Sequence, residues 1–203
     1  MSGKTLSAIR RWLQRRENLR KPNAYSLDEI RNILSLIPEP AATIFATAAF
    51  NGLRRGEIRG MRWEDYSNGE IHVTQSIWEG HTTVPKTRQS RGAVPVIRPL
   101  AKILDAHRLR CGNPQTGPIF AAANGKPVSM NNVLSRLIRP ALDRCKHCKV
   151  SRISHKKADH KYERDASRPM WHGWHAARAG WVATSTLSAT LKKPFRRFCV
   201  MRT

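Results

Sequence analysis

Gly52-Leu53-Arg54-Arg55-Gly56-Glu57-Ile58 sets two guanidinium groups beside a carboxylate, directly after an almost uncharged run from Ala41 to Phe50. A guanidinium is a planar fork that matches a phosphate or carboxylate two bonds at a time. Glu57, one helical turn after Arg54, is spaced to brace one of the two arginines. Further on, His175 and Arg178 in Trp171-His172-Gly173-Trp174-His175-Ala176-Ala177-Arg178 fall one turn apart on one helical face. Between these groups lies Pro85-Lys86-Thr87-Arg88-Gln89-Ser90-Arg91-Gly92, a basic tip of the kind that leans into a nucleic-acid groove. A fourth group has a different chemistry. Cys145-x-x-Cys148 with His155 and His160 downstream offers two thiolates and two imidazoles, the donor set of a tetrahedral zinc site. His147 competes as a ligand, and free thiols on an unordered loop are the alternative reading.

The elements that must position these groups follow from periodicity and caps. Ser26-Leu27-Asp28-Glu29 is a capping box, and Ile30, Ile33, Leu34 and Ile37 follow at helical spacing. Pro38 ends that helix, and Pro40 suits the first turn of the next. Ala41 to Phe50 reads as a buried helix, ended by Gly52 in a left-handed cap. From Glu70 to Val96 the period shortens to two. Runs around Ile71 and Val73, from Ser76 to Val84, and from Ala93 to Ile97 predict a small three-stranded antiparallel sheet, with Pro95 marking the last strand as an edge. Leu100, Ile103, Leu104 and His107 mark a helix ended near Gly112, and Ser129 caps another through Val133, Leu134, Leu137, Ile138 and Leu142. Residues 143–170 are polar, basic and too long for an ordinary connection. The expected fold class is α+β, mainly α-helical with that small sheet.

Composition limits the partners. Lys and Arg number 37 against 14 Asp and Glu, a formal net charge of +23 in 203 residues, which calls for a polyanion, nucleic acid first. With 40% hydrophobic residues and six Trp the chain is no disordered basic tail. No apolar run is long enough to span a membrane, and no export signal's apolar stretch follows the first charges. Four cysteines in that setting predict a reducing compartment and a cytoplasmic, nucleoid-associated location.

The Arg54 corner resembles a motif of the tyrosine recombinases (phage integrases): a buried helix, then Gly-Leu-Arg-x-x-Glu, then a turn ending in Trp-x-Asp, here Trp63-Glu64-Asp65. The resemblance covers about residues 25–180, with three motif groups in family order. It implies a DNA breaking-rejoining catalytic domain in which Arg54 grips the scissile phosphate. Lys86, followed by Thr87, Ser90, Arg91 and Pro95, takes the place of the general acid, with a basic hairpin tip as the alternative. His175 and Arg178 take the places of the assisting histidine and the second phosphate clamp; His172 lacks an arginine three residues on. Arg55, Arg88 and Arg91 are the expected DNA-backbone contacts. The partner is double-stranded DNA, with self-assembly on it as a further expectation. The family's chemistry needs no cofactor, so zinc at Cys145, Cys148, His155 and His160 would be structural.

On this reading residues 1–24 are a basic linker or the remnant of a DNA-clamping domain. Residues 25–180 are the catalytic domain, with 143–170 as a basic Cys/His insertion, and 181–203 are an irregular tail. The family places a nucleophilic tyrosine after the second arginine. Here Tyr25, Tyr66 and Tyr162 all precede Arg178. A truncated and inactive catalytic domain is therefore expected, its tail frameshifted shortly after Arg178. The rival expectation is a non-catalytic basic module binding DNA or RNA, stapled by zinc.

Overall fold

The computed structural model describes residues 24–84 and 92–185. The basic segment before residue 24, the tip bearing Lys86, Arg88 and Arg91, and the tail from 186 onward lie outside the described residues.

Ser26 caps α1 (Leu27–Leu36): its side chain accepts the Glu29 N–H, and the Glu29 carboxylate accepts the Ser26 N–H in return. α2 (Ala41–Asn51) is buried on nearly every side, as its uncharged sequence requires. It forms the centre of the molecule, packed against α1, against α4 (Arg98–Arg110) and most extensively against α7 (Trp174–Ser185). Gly52 closes α2 with φ 63°, in the left-handed region that glycine enters without a Cβ clash.

The short α3 (Arg55–Gly60) follows at once and lies on β3 (Ser76–Trp78). Gly56 and Gly60, one turn apart, face the strand. A Cβ on Gly60 would sit 2.6 Å from the Gln75 carbonyl oxygen, and one on Gly56 would sit 2.5 Å from Ser76 Oγ. The pair of glycines is what lets helix and strand backbones touch. Gln75 Nε2 then donates to the Gly60 carbonyl at 3.0 Å, capping the end of α3.

The sheet differs from the sequence expectation. The three-stranded antiparallel sheet is β1 (Tyr66–Ser67), β2 (Glu70–His72) and β5 (Ala93–Pro95), in the order β1-β2-β5. The middle run, Ser76 to Val84, is not its second strand. It folds on itself as a separate hairpin, β3 with β4 (His81–Thr83). The reason is turn chemistry. Glu79 and Gly80 both take positive φ, 47° and 88°, which makes a two-residue turn between Trp78 and His81. Asn68 and Gly69 do the same at 52° and 72°, and recruit Tyr66–Ser67 as the third strand. Pro95 does lie on an edge strand, opposite Glu70.

Ser129 caps α5 (Met130–Val133), which continues through a π-helical turn (Leu134–Ile138) into α6 (Arg139–Leu142). Pro140 has no N–H and its ring crowds the carbonyl four residues back, so the helix widens just before it. Residues 143–170 are ordered: the Lys146 N–H donates to Glu163 O at 2.7 Å, and Asp165 N–H to Arg144 O at 2.8 Å. Among the described residues no helix is long and apolar enough to cross a membrane.

Candidate functional site

The Gly52 turn fixes a corner at which two distant stretches of chain meet. Arg54 is the residue that enters α3, with extended φ and ψ of −73° and 152°. Glu57 accepts both the Arg54 backbone N–H, at 2.7 Å, and its Nη1, at 3.0 Å. One carboxylate thus locks the backbone and aims the side chain. The Glu57 side chain is 13% exposed and that of Arg54 54%, so the brace is sheltered while the fork reaches solvent. From the other end of the fold, α7 crosses α2 and brings Arg178 to the same corner. Its Nε donates to the Gly52 carbonyl at 2.7 Å, two residues before Arg54. The groups come together because α2 and α7 are packed partners, and the α2 C-terminus offers carbonyls that attract a cation.

His175 is exposed on the first turn of α7. His172 lies before that helix, and its backbone N–H donates to the Tyr25 hydroxyl. Arg55 is engaged within the protein: its Nη2 donates to Asn131 Oδ1 at 2.9 Å, and its guanidinium lies 5.2 Å from the centre of the Trp78 ring. It ties α3 to the hairpin and to α5. Lys86, Arg88 and Arg91 belong to the stretch between β4 and β5 that is outside the described residues.

The second site lies in the segment that follows α6. Sγ of Cys145 and Cys148 and one ring nitrogen each of His155 and His160 all lie within 4.8 Å of one another, a grouping able to hold a metal ion. Cys145 Sγ is 3.4 Å from His160 Nε2, which is 3.1 Å from His155 Nε2. Burial raises the Cys145 thiol, but hydrogen bonds from the Cys148, Glu163 and His147 backbone and from His160 outweigh it and bring the pKa down to about 5. His147, the competing ligand, instead meets the Glu163 carboxylate at 3.0 Å.

This chain shares the fold of a transposon integrase. A fragment of the Tn1549 transposon integrase, solved in complex with circular intermediate DNA, matches with a TM-score of 0.53 and 16% sequence identity, over 83% of this chain. The chain spans 55% of that fragment, about half its length. No family model matches the sequence, and no curated protein matches it.

Two buried residues escaped sequence reasoning. Asn51, the last residue of α2, is buried, and neither its carboxamide nitrogen nor its oxygen has a partner among the described residues. Tyr25 was read only as a poorly placed nucleophile. It is fully buried, it accepts the His172 N–H, and it donates to Met170 O at 3.2 Å. It latches the lead-in of α7 to the start of α1. A capping signal beside it was visible, but a latch spanning 145 residues has no local signature.

The hydroxyls of all three tyrosines hold their protons more tightly than usual. Burial pushes Tyr25 up to about 12, and burial with the Asp143 carboxylate does the same for Tyr162. Burial and the nearby Asp105 charge raise Tyr66. Replacing Tyr25 with phenylalanine keeps the ring but strands the His172 N–H and the Met170 carbonyl. The expected cost is about 1–3 kcal/mol in urea unfolding, with the α7 lead-in exchanging its amides faster. An unchanged midpoint would mean that the latch contributes nothing.

Proposed function

We propose that this chain is a recombinase-type DNA-binding domain that seats a backbone phosphate at the corner shared by Arg54 and Arg178. The observation that carries the reading is the 2.7 Å bond from Arg178 Nε to the Gly52 carbonyl. It brings an arginine from α7 to the turn that presents Arg54, in the residue pattern of the tyrosine recombinases. The net charge of +23 and a structural neighbour solved on DNA support the same partner.

In this reading Arg54 and Arg178 offset charge on the phosphate, and on the pentacoordinate transition state if attack occurs. His175 assists proton transfer, and Lys86 delivers a proton to the leaving oxygen. Arg55 acts by positioning, through Trp78 and Asn131, as well as by charge. Attack would need an activated hydroxyl. Burial and neighbouring carboxylates keep the Tyr25, Tyr66 and Tyr162 hydroxyls protonated, the reverse of activation. The chain therefore binds DNA and forms no phosphotyrosyl link through its own tyrosines.

The test is a duplex carrying a nick that traps any covalent product, followed by denaturing electrophoresis, with binding measured in parallel by fluorescence anisotropy. Salt-dependent binding without a covalent adduct is expected. An adduct lost on replacement of one of the three tyrosines would overturn the catalytic half of the proposal. Binding to duplex no tighter than to an uncharged polymer would overturn all of it.

A further inference from the structure

The Cys/His insertion supports an inference independent of the DNA corner. We infer that Cys145, Cys148, His155 and His160 form a structural zinc site that holds residues 143–170 in their fold.

The donor set decides the class of metal. Two thiolates and two imidazoles suit zinc, whereas calcium and magnesium require oxygen ligands. A tetrahedral zinc with Zn–S near 2.3 Å and Zn–N near 2.0 Å has ligand-to-ligand edges of about 3.3–3.8 Å. The Cys145–His160 distance of 3.4 Å falls in that range, and the His155–His160 distance of 3.1 Å is just short of it. All four positions are filled by protein, so no position is left for substrate, and the site is structural rather than catalytic.

The surroundings serve the same geometry. Lys149 adopts a left-handed φ of 58°, unusual for a residue with a side chain, directly after Cys148. That turn lets Cys145 N–H donate to Val150 O at 2.9 Å and Lys149 N–H to Cys145 O at 3.1 Å, folding both thiols to one side. On His160, Nδ1 faces the Asp159 carboxylate at 3.1 Å. Nε2 of the same ring faces Cys145 and His155, the arrangement in which an outer carboxylate orients a metal-binding histidine.

Among its described residues the unit has no apolar centre to fold around. Among the described side chains of 143–170 only Cys145, His155 and Asp165 are buried, and two of these are ligands. Val150, Ile153 and Met170 are exposed. A segment without an apolar centre is ordered by its metal. The insertion is anchored by Arg168 Nη1 on the Ala141 carbonyl, 2.6 Å away, and then runs directly into Trp171 and α7.

The experiment is metal analysis of the purified full chain by native mass spectrometry and elemental assay, followed by cobalt substitution. Equimolar zinc is expected. The cobalt form should show thiolate charge-transfer bands and the intense visible bands of a tetrahedral site. Cys148→Ser should abolish both. Cys111→Ser and His147→Ala, outside the ligand set, should leave both intact. Removing zinc with a chelator should open 143–170 to proteolysis before α2 and α4. Metal-free protein that takes up no cobalt would overturn the inference, as would iron in place of zinc, or stoichiometric metal retained by Cys148→Ser. Cys148 is exposed and lies outside the core built around α2, so its serine variant is expected to keep that core folded while 143–170 opens as in the chelated protein. The wild-type cobalt spectrum tests the site even if that variant does not.

Discussion

Removing Arg54 and Arg178 together is expected to weaken duplex binding by less than the product of the two single losses. Each alanine variant alone should lose roughly tenfold in affinity, the scale of one charged hydrogen bond net of solvation. If both forks hold the same phosphate, the second removal acts on a contact already weakened, and the cycle should show a coupling of about 1 kcal/mol. The salt series sharpens this. Counterion release counts neutralised phosphates, at about 0.9 in the logarithmic slope for each. With one shared phosphate, either single variant keeps most of the slope and the double variant loses about one unit. With two separate phosphates, each single variant loses about one unit and the double about two. That second pattern, with additive energies, would refute a common pocket. Arg178 also bonds the Gly52 carbonyl, so thermal unfolding of each variant must accompany the titrations. Arg178→Lys separates charge from geometry: the slope should persist while affinity falls, because an ammonium cannot reproduce the planar fork.

What could be read from the chain alone was whatever chemistry is local. The Ser26–Glu29 box and the Gly52 cap are decided within four residues, and both were legible. The Arg54–Glu57 brace is one turn long and was legible too. The runs that became strands were legible as well, but their pairing was not, because β1 to β5 run only two or three residues each, too short for alternation to outweigh the turns between them. Asn68-Gly69 was the signal that mattered. An Asn-Gly pair is among the strongest hairpin markers, and it pairs Ser67 with Glu70. At the second site the spacing of Cys145 and Cys148 named a metal chemistry. The choice between His147 and the pair His155 and His160 needed the fold, in which Glu163 takes His147. Long-range ties such as Tyr25 to His172 and Arg55 to Asn131 leave no trace in periodicity.

The largest loss of stability from one substitution is expected at Trp63. Its side chain is 2% exposed, stacked on His107 with ring centres 6.1 Å apart, and covered by the Arg108 guanidinium at 5.1 Å. The backbone is fixed as well: Trp63 N–H donates to Gly117 O at 2.9 Å, and the Met61 carbonyl accepts the Ile119 N–H at 3.0 Å. Trp63 therefore anchors the exit of α3 to α4 and to the strand-like stretch near Ile119. Truncation to alanine empties a large volume that rigid neighbours cannot refill, at a cost of about 3–5 kcal/mol. That is a large share of the roughly 5–15 kcal/mol that holds a domain folded. Trp63→Phe keeps a ring against His107 and should cost less. The check is a urea midpoint shift at unchanged slope, read by circular dichroism. Under conditions where Trp63→Ala remains folded, duplex affinity should stay within a few-fold of the parent, because Glu57 rather than Trp63 aims Arg54. If the stability loss stays below about 1 kcal/mol, the indole is not the anchor of this corner. If instead affinity collapses while the fold holds, the exit of α3, rather than its Glu57 brace, sets the direction of the arginine.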